Sequence, residues 1–555
     1  MGKSQIKLFK PYRQNQVQLL PPSLDSLIEP SHPVRTVSDL IDQIDISLLI
    51  AQYSGRGASS YHPRMMLKVL VYGYMRNIYS SRKLEMAIKE NIHFMWLAGG
   101  NQPDHHSINR FRSGRLKESL KTIFSQLVLL FHEAGYLSIK QLYTDGTKLE
   151  ANANRYTFVW SKASKNNRQR VGKQLEELWS YAVGVAKEEL MDTQPCDFEQ
   201  LAPEEVAQTL KKIDQALQKV DKQSEAVAAH GGKEELKKKR QKLTYAKKAW
   251  PENLKKYEEQ QAIAGDRNSY SKTDPDATFM RLKDDHMQNG QLKPAYNLQC
   301  SSNEQFILHY SLHQNPGDTL TLIPHLEGFE QSYGQMPEEI TADSGYGSEQ
   351  NYQYLEEQQV QAYVKYNYFH KEQRKRYAEK NSFKPSQLYY NAEQDYYVCP
   401  MGQKMTHIGQ HTKKTASGFI QHLDRYQAQN CEGCPLRAAC HKSKHNRIIT
   451  INHQLNHYRQ KAKEKLNSEE GIKRRKKRPC EIEAVFGILK QNRNFRRLSL
   501  RGLEKVEIEV GLHAVAHNFR KLAAKMSQKK GKDPLFPFQE PKRELHNTNQ
   551  LLKVA

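Results

Sequence analysis

The sequence predicts an α/β core that follows an all-α N-terminal domain and is interrupted by two insertions, a helical hairpin and a cysteine-containing segment. Three observations predict it. Helical spacing dominates from Val34 to Gly135. Short strand-like segments ending at an aspartate recur, Leu137–Thr144 before Asp145 and Ile340–Ala342 before Asp343. A late segment, Lys473–Arg497, sets Glu481 and Glu483 in an amphipathic helix amid a dense basic run. At 555 residues the chain exceeds one compact core.

Residues 1–33 are polar and broken by Pro21, Pro22 and Pro30, the composition of an arm. From 34 to 135 helices follow one another. Met66, Val69, Leu70 and Gly73 share a face, Ser80 offers a cap, and Leu116–His132 ends near Gly135. A short helix from Pro103 to Arg112 projects Asn109, Arg110 and Arg112, which suits a helix-turn-helix-like DNA-binding unit.

The core is expected in three pieces, 136–160, 272–370 and 471–525. Asp145 is followed by Gly146, so the dipeptide reads either as an acid presented at a strand end or as a hairpin turn. Residues 161–271 turn charged and strand-poor. Val206, Leu210, Ile213, Leu217 and Val220 form a coiled-coil seam that Leu236, Leu243, Ala246 and Trp250 resume after Gly231–Gly232, predicting an antiparallel helical hairpin. Strands then fit Tyr296–Cys300 and Gln305–His313, and Asp318 can cap a helix running to Phe329. Gly345 and Gly347 provide the turn after Asp343, Ser348 can cap a helix, and Val360–Asn367 is a further strand. This order, with an acid-bearing helix much later, is the skeleton of a ribonuclease-H-like mixed sheet.

Between that strand and the acidic helix lies the second insertion, 371–470, with Cys399, Cys431, Cys434 and Cys440. A CxxC knuckle with two further cysteines fits a structural tetrahedral zinc site, and His411, His441 or His445 could replace one thiolate. Cys196, Cys300 and Cys480 are assigned to idle thiols. In the acidic helix Pro479 suits a first turn, and Ile482, Val485, Phe486 and Leu489 form the apolar stripe that Glu481 and Glu483 flank. Lys490 returns to the azimuth of Glu483. His513 and His517, one turn apart on the next helix, read as packing and phosphate-facing residues, and 526–555 as a disordered basic tail.

The charge fits this site. Lys and Arg number 85 against 61 Asp and Glu, a formal charge of +24 that points to a polyanion, double-stranded DNA above all. No apolar run approaches the roughly 18 residues of a membrane span. Nor has the N-terminus the apolar core of a signal peptide, so a cytoplasmic protein is expected. Asp145, Asp343 and a glutamate of the late helix, Glu481 or Glu483, together would suit two Mg²⁺ or Mn²⁺ ions and phosphodiester chemistry. Arg478, Lys490, Arg493, Arg496 and Arg497 would hold the DNA backbone.

The segments YTDGTKLEANANRYTFVW, ITADSGYGSEQNYQYLEE and RPCEIEAVFGILKQNRNFRRLSLRGLEKVEIEVGLHAVAHNFRKL resemble bacterial insertion-sequence DDE transposases with a separate helical N-terminal domain, as does HPRMMLKVLVYGYMRNIYSSRKLE. The resemblance places the catalytic acids at Asp145, Asp343 and Glu483, the last from the E-x₂-F-x₃-K pattern of Glu483, Phe486 and Lys490. Glu481 is the fallback. Some relatives carry an arginine four residues before the glutamate, where this chain has Pro479, with Arg478 one position off. The resemblance implies cleavage at the ends of a mobile element, transfer of the 3′ ends into target DNA, a homodimer when the ends are synapsed, and work at the bacterial nucleoid. Two other readings share these residues: a nuclease or resolvase on the same fold, and a non-catalytic DNA-binding protein derived from a transposase.

Overall fold

The computed structural model describes residues 23–53, 60–186, 197–220, 225–282, 290–374 and 383–528. Most of the expected arm, all but the start of the expected tail, and Cys196 lie outside these residues. The chain divides into two compact units, residues 1–134 with 511–555 and residues 135–510.

The smaller unit is all helical. Met66, Val69 and Leu70 of the Pro63–Met75 helix are buried, and Gly73 lets the next helix approach, since a Cβ there would stand 2.4 Å from Leu84 Cδ2. Asp104 caps the His105–Arg110 helix through Ser107 N–H, 2.8 Å. The end of the expected arm is packed rather than loose, because Ile28 is buried and Arg35 reaches Asp25 Oδ1 at 2.7 Å. His513 and His517 are both buried. His513 sits edge-on to Tyr74 at 5.0 Å between ring centroids, and burial pulls its imidazole down to about 3, so packing is its role.

The larger unit is built on a mixed sheet of β1 (Gln141–Glu150), β4 (Thr278–Arg281), β5 (Leu292–Asn303), β6 (Phe306–His313), β7 (Glu339–Ala342) and β8 (Gln361–Val364). Its order is β4-β5-β1-β7-β8, with β6 also on β5. β1, β7 and β8 run parallel, while β5 is antiparallel to β1 and β6. Glu304 and Gln305, at φ 52° and 63°, make the two-residue turn between β5 and β6. Two expectations are corrected here. Asp145 does not end its strand, because pairing with β5 carries β1 on to Glu150, opposite Ala295. Asp318 does not cap its helix, which starts from Thr321; its carboxylate instead accepts from Asn297 Nδ2 at 2.8 Å and Gln299 Nε2 at 3.1 Å.

The first insertion is a bundle of three long helices rather than a hairpin. Ser161–Ala186 packs with Pro203–Lys219 and Gly232–Ala264. Leu175, Leu178 and Trp179 join the Val206, Leu210, Ile213 and Leu217 seam against Leu236, Leu243, Ala246 and Trp250. A two-stranded pair, β2 (Phe158–Trp160) with β3 (Ser269–Ser271), closes its base. The second insertion is a five-stranded antiparallel sheet of β9 (Tyr389–Asn391), β10 (Tyr396–Val398), β11 (Lys404–Lys414), β12 (Ile420–Ala428) and β13 (Ile448–Ile451). No described helix is long and apolar enough to cross a membrane.

Candidate active site

The register of the sheet brings the two aspartates together. β1 and β7 are parallel neighbours with Thr144 opposite Ala342, so Asp145 and Asp343 are the next residues on adjoining strands. Asp145 is buried, and its Oδ1 accepts from Gly146 N–H at 2.8 Å. Asp343 stands at the head of the Ser344–Tyr346 turn with its side chain 48% exposed. Gly347 belongs there because a Cβ would meet Lys365 O at 2.4 Å and Tyr366 Cα at 2.8 Å.

The acidic helix differs from its sequence reading in a way that completes the site. It begins at Glu469, so Pro479 is internal and not in the first turn. Having no N–H, Pro479 cannot continue the α ladder, and Pro479–Glu483 forms a π turn in which Ala484 N–H donates to Pro479 O. The wider turn faces Arg478 toward Glu483 although five residues separate them, with Nη1 to Oε1 at 2.9 Å. Arg478 Nη2 lies 2.8 Å from Asp145 Oδ2 and 3.9 Å from Asp343 Oδ2. One guanidinium, its side chain 4% exposed, thus stands among all three acids.

Glu481 points elsewhere. It is buried, accepts from Gln305 N–H at 2.7 Å, and pairs with Lys477 at 3.2 Å, so it anchors the β5–β6 turn. Sequence reasoning missed Lys365, whose Nζ is 3.8 Å from Asp343 Oδ1 and whose ammonium is pulled down by burial, Asp343 opposing. It also missed Tyr346, whose buried hydroxyl donates to Gln299 Oε1 beside Asp318. Neither carries a spacing signal.

The basic residues divide. Lys490 is half-buried and donates to Lys148 O on β1 at 3.0 Å. Arg493 is half-buried, and Arg496 bonds Lys490 O at 3.2 Å. Arg497 is exposed, 3.8 Å from Glu150. Arg478 presents no free face to a phosphate here. In the smaller unit Arg110 is exposed, but Arg112 is buried, donating to Tyr79 O at 2.6 Å and to Asn109 Oδ1 at 3.1 Å. Arg112 therefore holds its own domain together rather than projecting, and Asn109 supports it.

Cys399, Cys431, Cys434 and Cys440 all line one cavity of about 20 Å³ at the root of β11 and β12. Their sulfurs accept from Gln403 N–H (Cys399, 3.3 Å), Arg447 N–H (Cys431, 3.3 Å) and Arg447 Nη1 (Cys440, 3.0 Å). His441 borders the same cavity with both ring nitrogens buried and without a hydrogen-bond partner, whereas His411 and His445 do not line it. Cys300 is buried but Cys480 is exposed. Among the described residues, no three His, Cys, Asp or Glu side chains stand close enough together to hold a metal ion. In donor type alone the residues fit: carboxylate oxygens around Arg478 suit a hard divalent cation, and cysteine sulfurs lining one cavity suit zinc.

Residues 398–523 match the family model of a transposase DDE domain, and residues 22–114 match a second model described as a transposase domain. The first span contains Glu483 and the four cysteines; Asp145 and Asp343 lie outside both. No curated protein and no solved structure matches the chain.

Proposed function

We propose, from the premise that two transposase domains on one chain indicate an insertion-sequence DDE transposase, that Asp145, Asp343 and Glu483 are its catalytic acids in a ribonuclease-H-like domain. The observation that carries the reading is their convergence on Arg478 from β1, β7 and the π turn. The strand order and the parallel β1, β7 and β8 support the fold assignment.

In this reading the three carboxylates hold Mg²⁺ or Mn²⁺. Two such ions activate the attacking oxygen and stabilise the leaving 3′-oxygen of a phosphodiester when bound. The chain's own residues do the rest. Asp145 is fixed by its Gly146 bond inside the sheet, so it sets the position of the site. Asp343 and Glu483, both half-exposed, would reach such a cation from the solvent side, where the substrate phosphate enters. Arg478 balances the charge of the three acids and holds them facing one another. Lys490, Arg493, Arg496, Arg497 and Arg110 draw in the DNA backbone. The products are 3′-hydroxyl ends and their transfer into a target duplex, with a dimer holding both ends. Cys399, Cys431, Cys434 and Cys440 bind a structural zinc at the base of the β9–β13 module.

Asp343→Ala tests this directly. Half-exposed at a strand end, Asp343 carries little of the fold, so the variant should keep its melting temperature and DNA binding while Mg²⁺-dependent cleavage disappears. Full cleavage by the variant would end the assignment.

A further inference from the structure

We propose that the β11–β12 ribbon is a DNA-reading element that lies in a groove of the duplex beside the active site. The proposal rests on the reading above, that the partner is DNA, and adds where that DNA is read.

The ribbon is buried only at its root. Met405, Tyr426 and Ala428 pack with Tyr397, Ile449 and Ile451, where β10 and β13 flank the pair. Beyond the bulge at His407 and Gly409, where Arg425 and Asp424 still pair with β13, residues His411–Lys414 and Ile420–Leu423 pair only with each other, and none of them is buried. A bare two-stranded ribbon is at best marginal in water, so this one is maintained by something besides its own packing.

Its tip is tied down next to the catalytic residues. Ser417 Oγ lies 2.6 Å from Gln350 Oε1, and Gln421 Nε2 donates to Glu349 Oε2 at 2.7 Å. Glu349 and Gln350 open the Glu349–Glu357 helix, which the chain enters straight from the Asp343 turn. The ribbon is therefore held at both ends, with Gln410, His411, Thr412, Lys413, Lys414 and His422 exposed between them.

The side chains on its two faces are those that read nucleic acid. Cross-strand pairing sets Gln410, Thr412, Lys414 and His422 on one face, and His411, Lys413 and Arg425 on the other. From Lys404 to Ala428 the charges are Lys404, Lys413, Lys414 and Arg425 against Asp424 alone, and Asp424 is engaged by His407 at 3.2 Å and Gln410 at 3.3 Å. Lysines bind phosphates, while Gln, Thr and His address base edges. A ribbon of two strands about 4.8 Å apart fits a major groove about 12 Å wide. The rival occupant is a second copy adding strands to the bare edges. Lys413 and Lys414 oppose that by like-charge repulsion, and Ile408 and Ile420 are isolated exposed apolar residues rather than a patch.

The test uses the full chain and a duplex taken from the DNA flanking its own coding sequence. Lys413→Ala/Lys414→Ala should lower the slope of log K against log salt by roughly 2, at about 0.9 for each phosphate left without its lysine. Gln410→Ala/Thr412→Ala/His422→Ala should leave the slope alone but remove protection of guanine N7 from dimethyl sulfate. Both sets lie on the surface, so unchanged melting temperatures verify folding. Asp343→Ala should lose cleavage and keep slope and protection. If wild type binds and cuts while both ribbon variants keep its slope and protection, the ribbon proposal fails alone. If wild type binds no duplex, the DNA reading fails with it. A variant that shifts only the sedimentation of the free protein would overturn the proposal in favour of pairing between copies.

Discussion

Replacing Arg478 by methionine separates a packing role from an electrostatic one. Methionine keeps most of the volume and removes the charge. Asp145, with its side chain 12% exposed, then loses its ion-pair partner, and breaking one half of a buried pair costs about 3–5 kcal/mol. The pairs with Asp343 and Glu483 add little, since those side chains are 48% and 53% exposed and water screens them to about 0–1 kcal/mol. At roughly 2 °C per kcal/mol for a unit this large, the melting temperature should fall by about 6–10 °C without divalent ions. Mg²⁺ should recover much of that loss, because a cation among the three acids replaces the charge that Arg478 supplied, whereas wild type should gain less. Differential scanning calorimetry with and without Mg²⁺ reads both effects. The double variant Asp145→Asn/Arg478→Met should lose less than the sum of the singles. An Arg478→Met protein that melts with wild type and responds to Mg²⁺ no differently would refute the idea that the guanidinium compensates these acids.

Three more outcomes follow from the geometry. Glu481→Gln should cost about 1–3 kcal/mol through the weakened β5–β6 anchor yet retain cleavage, while Glu483→Gln should melt normally and not cut; urea titrations paired with a plasmid-nicking assay tell them apart. His513, held near 3 by burial and Arg520, is neutral when folded; its stabilisation is complete above about pH 6.5 and lost as pH falls toward 3. By pH 5 that loss is about 2 kcal/mol, and His513→Phe should flatten the acid limb of melting temperature against pH. Cys431→Ser should lower the zinc content measured by atomic absorption and expose the Met405 and Tyr426 core to proteolysis, with the helical unit unaffected.

The strands that end beside Asp343 were legible because short β-branched runs there stop at glycine-rich turns. Asp145 was harder. Asp-Gly is turn chemistry locally, and only pairing with β5, far along the chain, keeps the strand going. The third helix of the bundle was written in the sequence at Val171, Leu175, Leu178, Ala182 and Val185, spaced like the seam beside it. The β9–β13 module left little trace. Its strands are short or exposed on both faces, so alternation of polar and apolar residues, the usual signal, is missing from β11. Arg112 shows the converse difficulty: a basic residue at the end of a polar helix looks like a ligand contact until its burial is known.

The π turn at Pro479 means that residue count along a helix does not fix which charges meet. One extra residue is absorbed in the width of a single turn, and the arginine and glutamate keep their appointment across a longer interval. Removing Pro479 altogether should thus be gentler than lengthening the segment by another residue, since the shortened chain can relax into an ordinary turn with the pair still facing. Searches that demand a rigid interval between these two side chains would pass over sequences built this way.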